Sequence, residues 1–100
     1  MGQINVVKAT PDTVRGNHFH KRKTEWFLVI KGKAKLTLHN LEDNTNENII
    51  LTEDEPTLIK IPPNIAHAIQ NIGREDMYFL TYVNETYDTK DADIFQIKLV

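Results

Sequence analysis

The chain has 100 residues, with 12 Lys and Arg against 14 Asp and Glu, a formal charge of −2, four histidines and no cysteine. These figures exclude disulfides and thiolate metal sites, and they argue against a dedicated nucleic-acid binder, which would carry a basic surplus. No apolar run approaches the eighteen residues of a membrane helix, and one small domain over residues 1–100 is expected, burying roughly two-thirds of its unfolded surface.

In chain order, QINVVKA (3–9) is short and β-branched and reads as a strand. No charged leader with an apolar core precedes it, so a cytoplasmic location is expected. RGNHFHKRKTE (15–25) then sets two histidines one residue apart, ahead of three basic residues and a lone glutamate. EWFLVIKG (25–32) is apolar and ends in a turn at Lys31-Gly32. KAKLTLHN (33–40) alternates cleanly, with Ala34, Leu36 and Leu38 on one face and Lys33, Lys35, Thr37 and His39 on the other. That is a half-buried antiparallel strand. LEDNTNEN (41–48) reads as a polar loop. NIILT, TLIKI, AHAIQNI, MYFLTYV and IFQIKLV follow as short runs bounded by Pro, Gly, Asn or acidic clusters. Many short strands without a helical stripe predict an all-β sandwich or barrel.

Residues i and i+2 of a strand point the same way, so His18 and His20 share a side. Glu25 reaches that side only if the intervening Lys21–Thr24 turns or bulges. From Glu25 the same parity runs through Phe27 and Val29, so a carboxylate heads an inward apolar row. Buried carboxylates are costly unless paired or bound to a cation. In IPPNIAHAIQN (61–71), a turn at Pro62-Pro63-Asn64 leads into a strand on which His67, Ile69 and Asn71 share a face. Three imidazoles and a carboxylate suit a divalent transition metal: Zn, Fe, Mn, Ni or Co. The basic cluster of Arg15, Lys21, Arg22 and Lys23 suits a small anionic ligand. His39, on the face of Lys33 and Lys35, is expected to be an ordinary surface histidine.

His18-x-His20-x4-Glu25-x6-Gly32 resembles the first cupin motif, and Pro62-x-Asn64-x2-His67-x3-Asn71 the second, with Asn where that family usually has Gly. The opening glycines of the two motifs would fall at Asp12 and Pro56. The resemblance implies a single small jelly-roll cupin barrel. GQINV, RGNHFHKRKTEWFLVIKGKA, IPPNIAHAIQNIG and YVNETYD further resemble the C-terminal zinc-binding cupin domain of bifunctional capsular-polysaccharide enzymes. Those enzymes join a short-chain reductase to a cupin that epimerises a nucleotide-linked 4-keto-6-deoxy sugar. They are related to dTDP-sugar ketoisomerases and dTDP-4-dehydrorhamnose 3,5-epimerases. What the resemblance implies is a metal, zinc first, held by His18, His20, Glu25 and His67, and a nucleotide-sugar substrate. It also implies a homodimer, for which the QINVV or IFQIKLV strand would cover a sheet edge. A separately encoded reductase is a further expected partner.

Epimerisation or isomerisation beside a C4 carbonyl begins by removing a proton from the adjacent carbon, and the resulting enolate needs positive charge at its oxygen. A general base takes the proton. Arg15 offers a fork for bidentate phosphate contact and Lys21 a point charge. If three histidines bind metal, the base lies elsewhere: Tyr82 and Lys21 are put forward, beside Tyr78, Glu85 and a hydroxide on the metal. Without metal, His20 or His67 would serve. Trp26, Phe27, Phe79 and Phe95 are expected in the core or an interface, and Asn84–Asp88 either caps the cavity or forms an exposed turn. The competing readings are a non-catalytic sugar- or metal-binding module and an Fe(II) cupin dioxygenase.

Overall fold

The computed structural model describes residues 2–100, which carry nine strands: β1 Gln3–Ala9, β2 Val14–Phe19, β3 Glu25–Lys31, β4 Lys33–Asn40, β5 Asn46–Thr52, β6 Ile59–Ile61, β7 Ile65–Asn71, β8 Met77–Val83 and β9 Phe95–Gln96. They form two antiparallel sheets, ordered β1-β8-β3-β6 and β5-β4-β7-β2-β9. The sheets face one another as a small jelly-roll barrel of the cupin type, as the motifs implied. Among the described residues no helix is long and apolar enough to cross a membrane.

Alternation along the strands makes the interior. Phe27 and Val29 of β3, Ala34 and Leu36 of β4, Ile69 of β7, and Met77 and Phe79 of β8 all point between the sheets and are buried. Phe27 and Phe79 stack at 5.8 Å. Gly32 makes the one-residue connection from β3 to β4 at φ 99°, and a Cβ there would crowd Met77 Cα at 3.2 Å. That turn therefore requires glycine. Where the cupin motifs usually carry glycine, Asp12 and Asn64 take left-handed backbone, with φ 67° and 66°. Asp and Asn tolerate that region better than other side chains, so these two departures preserve the loop shape.

The polar run 41–48 is shorter as a loop than expected, because β5 begins at Asn46 and pairs with His39 of β4. The C-terminal run 94–100 contributes only the two residues of β9 to a ladder. The rest of it is held by side chains, as described below. β1 is inverted relative to a simple apolar-inside pattern. Gln3, Asn5 and Val7 turn inward, while Ile4 and Val6 are 64% and 66% exposed.

Candidate metal centre

A bulge places His18. Pairing between β2 and β7 runs Arg15 to Ile69 and Gly16 to Ala68, then skips Asn17 and resumes at His18 with His67. Gly16 and Asn17 both have positive φ, 96° and 57°. A Cβ on Gly16 would stand 2.8 Å from the His67 carbonyl oxygen, so no other residue fits without movement. The extra residue lets Arg15 and His18, three apart in sequence, face the same side. Asn17 itself turns to the C-terminal segment. Its Oδ1 accepts from the Leu99 and Val100 amides and its Nδ2 donates to the Val100 carbonyl.

A tight turn places Glu25. Asp93, at φ 53°, accepts the consecutive backbone N–H groups of Lys21, Arg22 and Lys23 on its carboxylate at 3.0, 2.9 and 2.9 Å. These contacts, against the opposing effect of burial, hold the Asp93 carboxyl below the usual carboxylate range. They fold residues 21–24 back so that Glu25 enters β3 facing inward. This is the turn that strand parity demanded.

The donor atoms of His18, His20, Glu25 and His67 all lie within 4.8 Å of one another. Glu25 Oε1 is 3.2 Å from His20 Nε2 and 3.1 Å from His67 Nε2. Those spacings are close to the roughly 3.3 Å between donors that tetrahedral zinc bonds of about 2.0–2.1 Å require. His20 Nδ1 lies 2.7 Å from the Asp93 carbonyl and His67 Nδ1 3.2 Å from the Ile65 carbonyl. Carbonyl oxygens only accept, so both Nδ1 atoms carry a proton, and whenever such a ring is neutral its Nε2 presents a lone pair. His20 and His67 are thus each anchored by a backbone acceptor, the usual outer support of a metal-ligating histidine.

Two imidazole lone pairs therefore converge on one carboxylate oxygen, an arrangement that repels unless a cation sits among them. His67 is 0% exposed, and its Nε2 makes no hydrogen bond among the described residues. Without a metal, a proton on Nε2 can take the cation's place, and the charge preferences of the cluster reflect that. Burial works against ionising Glu25, but the contacts from His20 and His67 outweigh it and hold its carboxyl at about 2. Burial first, then the His67 and His20 charges, push His18 down to about 4. For His20 burial is outweighed by Glu25 and the Asp93 carbonyl, which raise it. The donor set fits a divalent transition metal.

Two connected chambers flank the cluster, sharing Asn5, His18 and Glu25. One, of about 260 Å³, carries Arg15 at its mouth and Phe27, Phe79 and Thr81 in its wall. The other, of about 180 Å³, is lined by Gln3, His20, Lys23, Glu85 and Tyr87 among others. Both fall below the roughly 300–1,000 Å³ of drug-sized pockets, so each suits a sugar ring rather than a whole nucleotide sugar. Of Asn84–Asp88, Glu85 and Tyr87 line the smaller chamber, while Asn84, Thr86 and Asp88 are exposed.

Arg15 and the four metal candidates are brought together as the sequence suggested. Tyr82 is not, and that expectation is corrected. It sits on the outer face of its sheet, 37% exposed, with its ring 5.5 Å from Trp26. Strand parity sends Thr81 inward instead. Lys21 lines neither chamber, because its ammonium folds over the Phe95 ring at 4.4 Å. His39 is a surface residue bonded to Asn46. Sequence reasoning missed Asn5 and Thr81, and placed Lys23 only in a basic cluster suited to an anion. Parity with Glu25 was the available signal for Lys23. Asn5 donates to Thr81 Oγ1 at 3.4 Å and accepts from Gln3 at 3.0 Å, forming a polar wall opposite the histidines.

The family model of the polysaccharide biosynthesis C-terminal domain matches residues 1–95. A UDP-2-acetamido-2,6-beta-L-arabino-hexul-4-ose reductase from Pseudomonas aeruginosa is 33% identical over 94 residues, which are 94% of this chain and 25% of that protein. The solved structure of the capsular polysaccharide assembling protein CapF from Staphylococcus aureus superposes with a TM-score of 0.94 at 31% identity, covering 98% of this chain and 29% of CapF. This chain therefore spans only about a quarter of the length of these relatives. QdtA, a sugar 3,4-ketoisomerase from Thermoanaerobacterium thermosaccharolyticum, shares the fold, with a TM-score of 0.76 at 21% identity over 94% of this chain and 65% of QdtA.

Proposed function

The chain belongs to the polysaccharide biosynthesis C-terminal domain family, and from that premise we propose that residues 1–100 form one metal-binding cupin domain that epimerises or isomerises a nucleotide-linked 4-keto-6-deoxy sugar. The observation that carries this reading is the convergence of two Nε2 lone pairs and a carboxylate oxygen within 3.2 Å inside a sugar-sized cavity. His18, His20, Glu25 and His67 would hold the metal, zinc ahead of Fe, Mn, Ni or Co. When bound, it supplies Lewis-acid polarisation of a substrate oxygen.

The chain's own residues do the rest. Arg15, at the mouth of the larger chamber, takes the diphosphate in a bidentate fork. Asn5 and Thr81 hydrogen-bond sugar hydroxyls. With the histidines engaged as ligands, the proton moves through Glu85 or Tyr87, the remaining titratable groups of the smaller chamber apart from Lys23. The Pseudomonas relative is named a reductase, so we propose that a reductase acts on the product.

Two experiments test the reading. Elemental analysis of protein purified without chelators is expected to give one metal per chain, lost in both His18→Ala and His67→Ala. Incubating the protein with a UDP-linked 4-keto-6-deoxy sugar in D₂O is expected to place deuterium beside the carbonyl. Sugar binding with no exchange would make it a binding module instead.

We also propose a homodimer, formed over the outer face of the four-stranded sheet rather than at a strand edge. Ile4, Tyr82 and Trp26 form one apolar row across β1, β8 and β3, and Val6, Leu80 and Leu28 a second. An antiparallel sheet normally keeps such a face polar. Two parallel rows match themselves under a two-fold axis, so a second copy is the occupant that fits. Light scattering should give twice the chain mass, and Val6→Lys should halve it without loss of metal. A wild-type monomer at every concentration would exclude this interface.

A further inference from the structure

We infer that Lys23 is a catalytic residue: its ammonium donates a hydrogen bond to the carbonyl oxygen of the bound sugar. The inference deepens the sugar-isomerising reading and rests on it.

Lys23 is only 3% exposed, in a chain whose other lysines lie nearer the surface. Lysine is almost never buried so fully without an anionic partner. Yet among the described residues no carboxylate forms an ion pair with it. Its Nζ donates to one backbone acceptor, the Ala92 carbonyl, at 3.0 Å, and stands 6.0 Å over the Tyr87 ring. An ammonium has three donors, so two are left for the chamber that His18, His20 and Glu25 also line. A buried charge this incompletely met is costly, and its backbone is fixed in place by the Asp93 carboxylate. Lys23 thus lines the chamber that three of the candidate metal ligands also line.

The surroundings select its ligand. Glu25 and Glu85 line the same chamber, but the first is a candidate metal ligand and the second is paired with Arg22 at 2.9 Å, so size selects the ligand. The chamber's roughly 180 Å³ excludes a nucleotide. A neutral sugar with one carbonyl is admitted. When the base removes the adjacent C–H proton, that bond's electron pair forms the new C=C, and the carbonyl π pair moves onto the oxygen and leaves it negative. A preplaced ammonium donor then binds more strongly in the transition state than in the ground state. Arg15, at the other chamber's mouth, keeps the diphosphate. The two cations thereby set the direction in which the substrate lies.

The test compares Lys23→Met with wild type by three readouts: deuterium exchange into the UDP-linked keto-sugar, zinc content, and affinity for UDP alone. The expected result is a fall in the saturated exchange rate of about 10²–10³-fold, the cost of losing one oxyanion donor. Zinc content and UDP affinity should stay at wild-type values. Arg15→Met should weaken UDP binding, the loss that Lys23→Met does not show. An unchanged rate in Lys23→Met overturns the inference. So does loss of zinc, because the ammonium would then serve the packing of the ligands. Should Lys23→Met fail to fold, Lys23→Gln is read by the same criteria. Absence of exchange in wild-type protein would instead remove the functional reading itself, and this assignment with it.

Discussion

Glu25 shows how one atom decides the character of a site. Its Oε1 meets Nε2 of His20 at 3.2 Å and Nε2 of His67 at 3.1 Å, and both rings have committed their protons to backbone carbonyls. With all three atoms as acceptors, only a cation or a donor reconciles them. The amide introduced by Glu25→Gln supplies two N–H donors at that position, one for each ring. Metal binding should therefore be abolished, while the metal-free protein at pH 8 becomes more stable by about 1 kcal/mol, the net worth of a hydrogen bond. Urea unfolding in EDTA measures this, and a less stable variant would refute the proton assignment. His18, His20, Glu25 and His67 were readable because their spacing obeys strand parity on either side of a turn. Lys21 and Tyr82 were misread for local reasons. A solvent-facing lysine beside Phe95 finds an aromatic face, and Tyr82 belongs to the outward parity of β8.

At the level of elements, the site depends on two irregularities rather than on regular strands. The Gly16-Asn17 bulge aligns Arg15 with His18, and the Asp93 carboxylate folds residues 21–24. The second of these had no sequence signal, since Asp93 lies some seventy residues downstream and its carboxylate touches only backbone N–H groups. The bulge was half legible: Gly-Asn marks left-handed backbone, but nothing local says that an extra residue sits in a ladder. Removing the Asp93 carboxylate strands three amide donors that shared one charged acceptor. Asp93→Ala should cost about 3 kcal/mol and weaken metal binding, because the turn that delivers Glu25 loosens. Asp93→Asn, which keeps one acceptor oxygen, should fall between the two. Denaturant titration and a zinc-competition assay would show it, and an alanine variant within about 0.5 kcal/mol of wild type would mean the turn holds itself.

Across the whole molecule, the cluster bridges layers: Glu25 belongs to the four-stranded sheet, His18 and His67 to the five-stranded one. The all-β class was evident from short alternating runs, yet alternation does not say which face is inside. In β1 the polar Gln3 and Asn5 turn in toward the cavity and Ile4 and Val6 turn out. An open chamber between the sheets accepts polar side chains that a close-packed core would refuse. The same chamber removes apolar contact from between the sheets, so a metal that ties them together should carry a large share of stability. A ligand present at a thousand times its Kd adds about 4 kcal/mol to a fold that alone can bind it. For a domain of this size each kcal/mol moves Tm by roughly 4–8 °C, so chelation should lower Tm by about 15–30 °C. Calorimetry with and without EDTA would measure the shift, and Glu25→Gln should show none. If wild-type protein melts at the same temperature in both conditions, the two sheets are held by their apolar faces alone and the four side chains do not share a cation.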